Sequence, residues 1–387
     1  MSEVLIDVTR LLGRFLKGRL PTGVDRVSQA YVRHFAHRAR AVLRLGGRAL
    51  VLPDAVSRRV FDNVLSPSLD FRRSVPGLLG QAVLKSWRNR NLPGAFLFNT
   101  GHSGLEQASY PMQLRRLGVR PLFLVHDLIP ITHPEYCRPG ELDKHVTRMN
   151  NVLRLAGGVI TNSQATLNEL LRFADRTGQP MPPAVAAPLA PAVLPAPSPL
   201  RPLAEPYFVV LSTIEPRKNH WLLLQLWRQM VERLGERAPR LVVIGQRGWE
   251  CENVIDLLER CQPLHSVLTE LPACSDADLA TYLHHAQALL FPSFAEGYGM
   301  PLVEALSLGA PVIASDLPVF REIAGDIPEY ADPLDGRRWM ELIISYASPD
   351  SPMRAAQVER IRGFESPAWT THFAKVDALL EQLHGKS

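Results

Sequence analysis

Glu296 and Glu304 are the residues from which chemistry can be read first. Seven residues separate them in FPSFAEGYGMPLVEALSLGAPVIASD, residues 291–316. Between them Gly297, Tyr298, Gly299 and Met300 form a glycine loop that leads into a helix opened by Pro301. Glycines let such a loop adopt unusual dihedrals and approach a ligand closely. Proline suits a first helical turn because its missing N–H costs nothing there. A loop of this kind takes anions, since free N–H groups point outward at the helix start. The two carboxylates accept hydrogen bonds from paired hydroxyls, as sugars present them. A ligand with both phosphate and sugar hydroxyls satisfies both halves, and a nucleotide-sugar is such a ligand. The plainer alternative is a strand–helix–strand unit whose acids favour the helix dipole. Residue types alone leave the two readings open.

Cations occur where that reading needs them. Arg217 and Lys218, in STIEPRKNH, sit where a strand hands over to a helix. Two positive groups there can neutralise a diphosphate as it departs; a solvated basic turn is the alternative. His126 and Asp127, in HDLIP, follow the apolar run PLFLV. Ligands of open α/β sheets bind at strand carboxyl ends, so this pair is a candidate site. Cys274–Asp278 holds a literal Asp-x-Asp, but it opens a helix and reads as a cap. Adjacent His284 and His285 do not share a helical face and make a poor metal pair. No metal and no cofactor are expected.

The motif EGYGMPLVEAL, continued by GAPVIASDLPVFREIAGD, resembles the donor-site motif of the retaining family-4 glycosyltransferases. The resemblance is close over the second half of the chain and looser over the first. It implies a GT-B fold, with two facing Rossmann-like α/β domains, a cleft between them and a C-terminal helix crossing back. It implies that Glu296 meets the transferred sugar, that Glu304 holds the ribose hydroxyls, and that Arg217 and Lys218 take the diphosphate. His126 would lie beside the donor sugar, with Asp127 orienting its neighbours. Leu271 falls where the family meets the base through backbone atoms, and Asn162 and Ser163, in VITNSQAT, fall near the cleft. The first strand-to-helix loop of the family faces donor phosphates and acceptor. Members often carry two adjacent glycines there, whereas this chain has only Gly23, followed by Asp25 and Arg26. Either of those two contacts acceptor or phosphate, or they are a helix cap and a solvated charge. HDLIP, PEY, EPRKN and GW together look most like bacterial polysaccharide mannosyltransferases, which favours GDP-mannose or a related GDP-deoxyhexose as donor and a growing lipid-linked glycan as acceptor. A sugar-nucleotide epimerase of the same fold and a non-catalytic scaffold are the rival readings.

The elements that must position these residues follow from apolar runs and their punctuation. Val4–Val8, Ala95–Phe98, Pro121–Val125, Gly158–Thr161 and Ala184–Ala186 read as strands of an N-terminal domain over 1–190. Residues 191–206, PAVLPAPSPLRPLAEP, read as a semi-rigid linker. Tyr207–Leu211, Leu241–Gly245, Leu289–Phe291 and the run from Pro311 read as strands of a donor-binding domain over 207–366. Residues 367–387 supply the terminal helix.

Charge is uneven along the 387 residues, although the net is only +5. Residues 1–120 carry 20 Lys and Arg against 7 Asp and Glu, so the remainder is acidic overall. A basic half fits an anionic membrane face or a lipid-diphosphate acceptor. Nucleic acid is not expected, since no recognition module is present. Residues 72–90, RRSVPGLLGQAVLKSWRNR, are basic and amphipathic; a core-facing surface helix is the favoured reading and a membrane-interface helix the other. Four cysteines without close spacing and a start without a secretion signal lead to the expectation of a cytoplasmic chain with reduced thiols, peripheral on the inner membrane face.

Overall fold

The structure, a computed structural model, describes residues 3–18, 22–66 and 92–385, together with positions 75, 77 and 80. Apart from those three positions, the basic stretch expected over 72–90 lies outside the described residues. The chain divides into two compact units. One comprises Met1–Leu128, Leu142–Leu189 and Trp369–Ser387; the other comprises Ile129–Glu141 and Ala190–Ala368. Residues 129–141, expected in the N-terminal domain, therefore group with the second unit. The proline-rich stretch expected to be a linker also belongs there: the Ser198 N–H donates to Thr281 Oγ1 at 3.0 Å, and His285 Nε2 meets the Ser198 carbonyl at 2.8 Å.

The first unit is built on strands β1 (Val4–Asp7), β2 (Ala39–Leu45), β3 (Arg48–Val51), β4 (Phe96–Asn99), β5 (Arg120–Val125), β6 (Gly158–Thr161) and β7 (Ala184–Ala186). Their order is β3-β2-β1-β4-β5-β6-β7, and all pairs are parallel except β2 with β3. Continuous apolar runs such as Val4-Leu5-Ile6 and Leu122–Val125 are buried, as a sheet covered on both faces requires. The β2–β3 hairpin was not among the expected strands. Its signal is Gly46-Gly47, two residues with φ of +53° and +73°, which give the left-handed turn that a two-residue hairpin needs.

The helix Trp369–His384 packs on this first sheet. Phe373, Val376, Leu379, Leu380 and Leu383 recur at helical spacing and are buried. Burying each such side chain is worth about 1.5–3 kcal/mol. His372 anchors it inside the unit: the Tyr31 hydroxyl meets Nε2 at 2.9 Å, and Nδ1 meets the Ala187 carbonyl at 3.0 Å.

The second unit holds β8 (Tyr207–Leu211), β9 (Arg240–Ile244), β10 (Leu268–Leu271), β11 (Leu289–Phe291), β12 (Val312–Ser315) and β13 (Glu329–Ala331). The order is β10-β9-β8-β11-β12-β13, parallel throughout. Trp227 and Trp339 are fully buried beside it. The short outer strands β10 and β13 were not expected as strands. In each sheet the chain direction of travel reverses beside the central pair, β1/β4 in one and β8/β11 in the other. Loops at the carboxyl ends of such pairs splay apart and leave room for a ligand. Among the described residues no helix is long and apolar enough to cross a membrane.

Candidate active site

In the second unit the two loops at the switch point carry the charged residues. The loop after β8 turns through the 3-10 segment Pro216–Lys218, and Asn219 at φ +55° starts the helix His220–Leu234. Its neighbour after β9 presses against it: a Cβ on Gly245, φ +149°, would stand 2.0 Å from the Ser212 carbonyl oxygen. Only glycine fits that approach. The loop after β11 is tied on from the other side, where the Phe294 N–H donates to the Arg217 carbonyl at 2.9 Å.

These backbone ties bring Arg217, Lys218 and Glu296 into one cluster. Lys218 Nζ lies 2.6 Å from Glu296 Oε1, and Arg217 Nη1 lies 2.8 Å from Glu296 Oε2. Arg217 also donates to the Ala295 carbonyl at 2.7 Å and pairs with Glu215 Oε1 at 2.7 Å. The side chains are 18% exposed for Arg217, 11% for Lys218 and 8% for Glu296. Burial alone would push the Glu296 carboxyl up, but Arg217 and Lys218 hold it down at about 2. Burial, then Arg217, push the Lys218 amine below its ordinary range, and Glu296 pulls it back. A carboxylate thus fixes two cations in a site with little water, where charge interactions are strong.

Glu304 is the fifth residue of the helix Met300–Ser307 and is buried, 6% exposed. That helix begins one residue before the expected Pro301. Gly299, φ +109°, precedes it; a Cβ there would meet Phe320 Cε1 at 2.6 Å. Tyr298 is buried, while Gly297 and Met300 are half-buried. Leu271 ends β10, and its carbonyl accepts from the Gly245 N–H at 3.0 Å. Tyr136, from residues 129–141, stacks on Phe294 with ring centres 4.9 Å apart, and Arg138 lies 4.8 Å over the Trp249 ring.

In the first unit the carboxyl ends of β4, β5 and β6 converge. His126 Nε2 meets the Thr100 carbonyl at 2.7 Å, and Asn162 Nδ2 donates to the His126 carbonyl at 2.8 Å. Ser163 caps the helix Gln164–Thr177, accepting from the Thr166 N–H at 3.0 Å. Asp127 is half-buried, and its carbonyl meets His145 Nε2 at 3.1 Å. Burial pushes the His126 imidazole down, against the Thr100 carbonyl and Asp127, which favour its cation.

Gly23 opens the helix Gly23–Phe35, and Asp25 is its third residue. The Asp25 carboxylate accepts from Thr22 N–H and hydroxyl at 2.8 and 2.7 Å, and it pairs with Arg10 at 2.9 Å and Arg14 at 2.7 Å. It is 2% exposed, so its oxygens work within the unit. Arg26 beside it is half-buried. Sequence reading missed Arg10 and Arg14, whose four-residue spacing puts both on one helical face, and it missed Glu215, two residues before Arg217.

Residues 197–328 match the family Glycosyl transferases group 1. The chain is 37% identical over 125 residues to the serotype-specific mannosyltransferase WbdA of Escherichia coli, covering 31% of this chain and 15% of that protein. It is 31% identical over 224 residues to the O-antigen chain mannosyltransferase B of Escherichia coli, covering 56% of this chain and 58% of that protein. The matches therefore span from a small part to somewhat over half of these relatives' lengths. Among solved structures, Anabaena Alr3699/HepE in complex with UDP and glucose has a TM-score of 0.66 at 14% identity, with 100% of this chain and 99% of that chain covered. The sucrose-phosphate synthase of Thermosynechococcus elongatus has a TM-score of 0.65 at 15% identity, with both chains covered completely. The chain has the GT-B fold of these structures, and its residues 197–328 match the group 1 glycosyltransferase domain.

Proposed function

We propose that this chain transfers a hexose, mannose or a related deoxyhexose, from a nucleoside-diphosphate sugar to a hydroxyl of a growing lipid-linked bacterial glycan, with retention at the anomeric carbon. The observation that carries the reading is the Arg217–Lys218–Glu296 cluster on the two loops of the β8/β11 switch point. In this reading the bond from the sugar's anomeric carbon to the diphosphate oxygen breaks. A new bond forms from that carbon to the acceptor oxygen on the same face. A donor phosphate oxygen takes the acceptor's proton, and Arg217 and Lys218 stabilise the departing diphosphate. That is charge stabilisation where charge develops, the term that weighs most in such transfers. Side chains supply it, so the step is written without a metal. Glu296 orients the transferred sugar, Glu304 holds the ribose, and Leu271 lies toward the base; His126, in the first unit, offers a hydrogen-bonding group to a sugar hydroxyl.

GDP is the favoured nucleotide, because O-antigen chain mannosyltransferases are among the similar curated proteins. The same relatives and the basic charge of residues 1–120 support an acceptor at the inner membrane face. A thermal-shift screen of GDP, UDP, dTDP and ADP tests the nucleotide: GDP is expected to give the largest shift, and no shift with any of the four sinks the reading. Glu304→Ala should weaken GDP about 10–100-fold, as expected for a lost charge-assisted hydrogen bond. Anomeric NMR of the product from GDP-mannose checks retention. Conversion of the donor without acceptor would indicate an epimerase instead.

A further inference from the structure

His102 lies in the loop after β4, three positions past Asn99, and was not among the expected site residues. Its φ is +54°, a left-handed conformation that residues with a side chain rarely adopt. The surrounding loop holds it there. Asn99 Nδ2 donates to the Ser103 carbonyl at 3.1 Å and to the Tyr110 hydroxyl at 3.1 Å, while Arg44 donates to Ser103 Oγ at 2.7 Å. Strain kept by such over-determination is a pointer to function.

The His102 ring sits between two others, with centres 5.4 Å from His126 and 5.8 Å from His145. It hydrogen-bonds the backbone of Leu124, and its Nε2 is buried without a partner among the described residues. His126 and His145 are each held through Nε2 by a backbone carbonyl, that of Thr100 and that of Asp127. A carbonyl takes only a donated hydrogen, so Nε2 of His126 carries the proton and Nδ1 keeps its lone pair.

We propose that His102 is a positioning residue for His126: it fixes the ring with Nε2–H on the Thr100 carbonyl and leaves Nδ1 as a hydrogen-bond acceptor for a ligand hydroxyl. That the hydroxyl is a sugar's rests on the transfer reading above; the ring geometry and tautomer do not. The His102 ring also keeps water from one side of His126. Asp127, Arg10 and Asp25 are the charges that bear on His126, and His126, His145 and Arg148 are those that bear on His102. Burial pushes both imidazoles below their ordinary range, against Asp127 and Asp25 at His126 and with the help of the neighbouring groups at His102.

Long-range proton–nitrogen NMR on protein labelled at histidine tests this with no activity needed. His126 should appear with its proton on Nε2 at neutral pH. His102→Asn suits the left-handed backbone and opens the packing, and should raise the His126 titration midpoint by about half a pH unit or more. The acid limb of kcat/KM should move up by the same amount, and His102→Gln should give an intermediate shift. A proton on Nδ1 in the wild-type chain, or an unchanged midpoint in a folded His102→Asn protein, overturns the proposal. If His102→Asn does not fold, the wild-type tautomer and His102→Gln decide it. A chain with the stated tautomer and shift but no sugar transfer would leave His102's role standing and remove the transfer reading.

Discussion

The two units carry sheets of similar construction but equip their carboxyl ends differently. The second unit places full charges there: Arg217 and Lys218 grip Glu296 over 2.6–2.8 Å, and Glu215 holds Arg217 from behind. In the first unit the ends of β4, β5 and β6 carry imidazoles and amides, with His126, His102, His145 and Asn162 anchored on backbone carbonyls. Its strong ion pairs, Asp25 with Arg10 and Arg14, and Asp7 with Arg44 at 2.6 Å, bind one local element to the next. Charge in one place suits an anionic leaving group. Neutral hydrogen-bonding groups in the other suit hydroxyls.

Breaking the charged end should have the largest effect. Glu296→Ala leaves Lys218 buried without its paired carboxylate and Arg217 still paired with Glu215, which should cost about 3–5 kcal/mol of stability and abolish transfer; denaturant unfolding and product assays measure both. An unchanged midpoint would show that the cluster carries no strain of charge. Next, Lys218→Ala should keep the fold and lower turnover about 100–1000-fold, with Lys218→Arg recovering part of it. Turnover close to wild type would remove Lys218 from the chemistry.

Acid should then distinguish packing from site. Burial holds His372 down at about 4 against an ordinary 6.5. The unfolded chain therefore takes up this proton first as pH falls. Stability is full above 6.5 and declines as pH drops toward 4, by on the order of 2 kcal/mol from this group. Hydrogen exchange along Trp369–His384 should quicken over that window, and His372→Gln should flatten the dependence. The Glu296 carboxylate works in a lower window: its contribution is complete above its ordinary 4.5 and is lost only as pH falls toward about 2. Smallest of the four, Asp25→Ala should remove the helix cap for about 1–2 kcal/mol while leaving GDP affinity as it was. A large loss of affinity would mean that the first unit's ion pairs also serve the ligand.

This difference between the units also explains what could be read from the chain. The second unit's charges lie in short runs, EPRKN and EGYGMPLVE, each at the end of an apolar strand, so type and spacing are visible together. Glu215 escaped notice because its partner is defined by a turn, where Arg217 folds back over two residues. In the first unit, His126 stood out at the end of PLFLV, but His102 comes from another element and meets it only in three dimensions, as His145 meets His102. Asp25 was legible as a cap, whereas its arginines required the packing of two helices. Among strands, the continuous apolar runs were found to within a residue or so, whereas β2, ARAVLRL, whose apolar residues are interrupted by arginines, was missed together with β3. The half-buried β10, LTEL, and β13, EYA, have no alternation long enough to register, and pairing with a neighbour makes them strands.

Whether Arg217 and Lys218 serve a nucleoside diphosphate is decided by calorimetric titration of GDP against GMP. GDP should bind at least about tenfold more tightly than GMP to the wild-type chain, the worth of one charge-assisted hydrogen bond, and Lys218→Ala should remove most of that difference. Equal binding of GDP and GMP, or a preference for GDP that survives Lys218→Ala intact, would contradict that role.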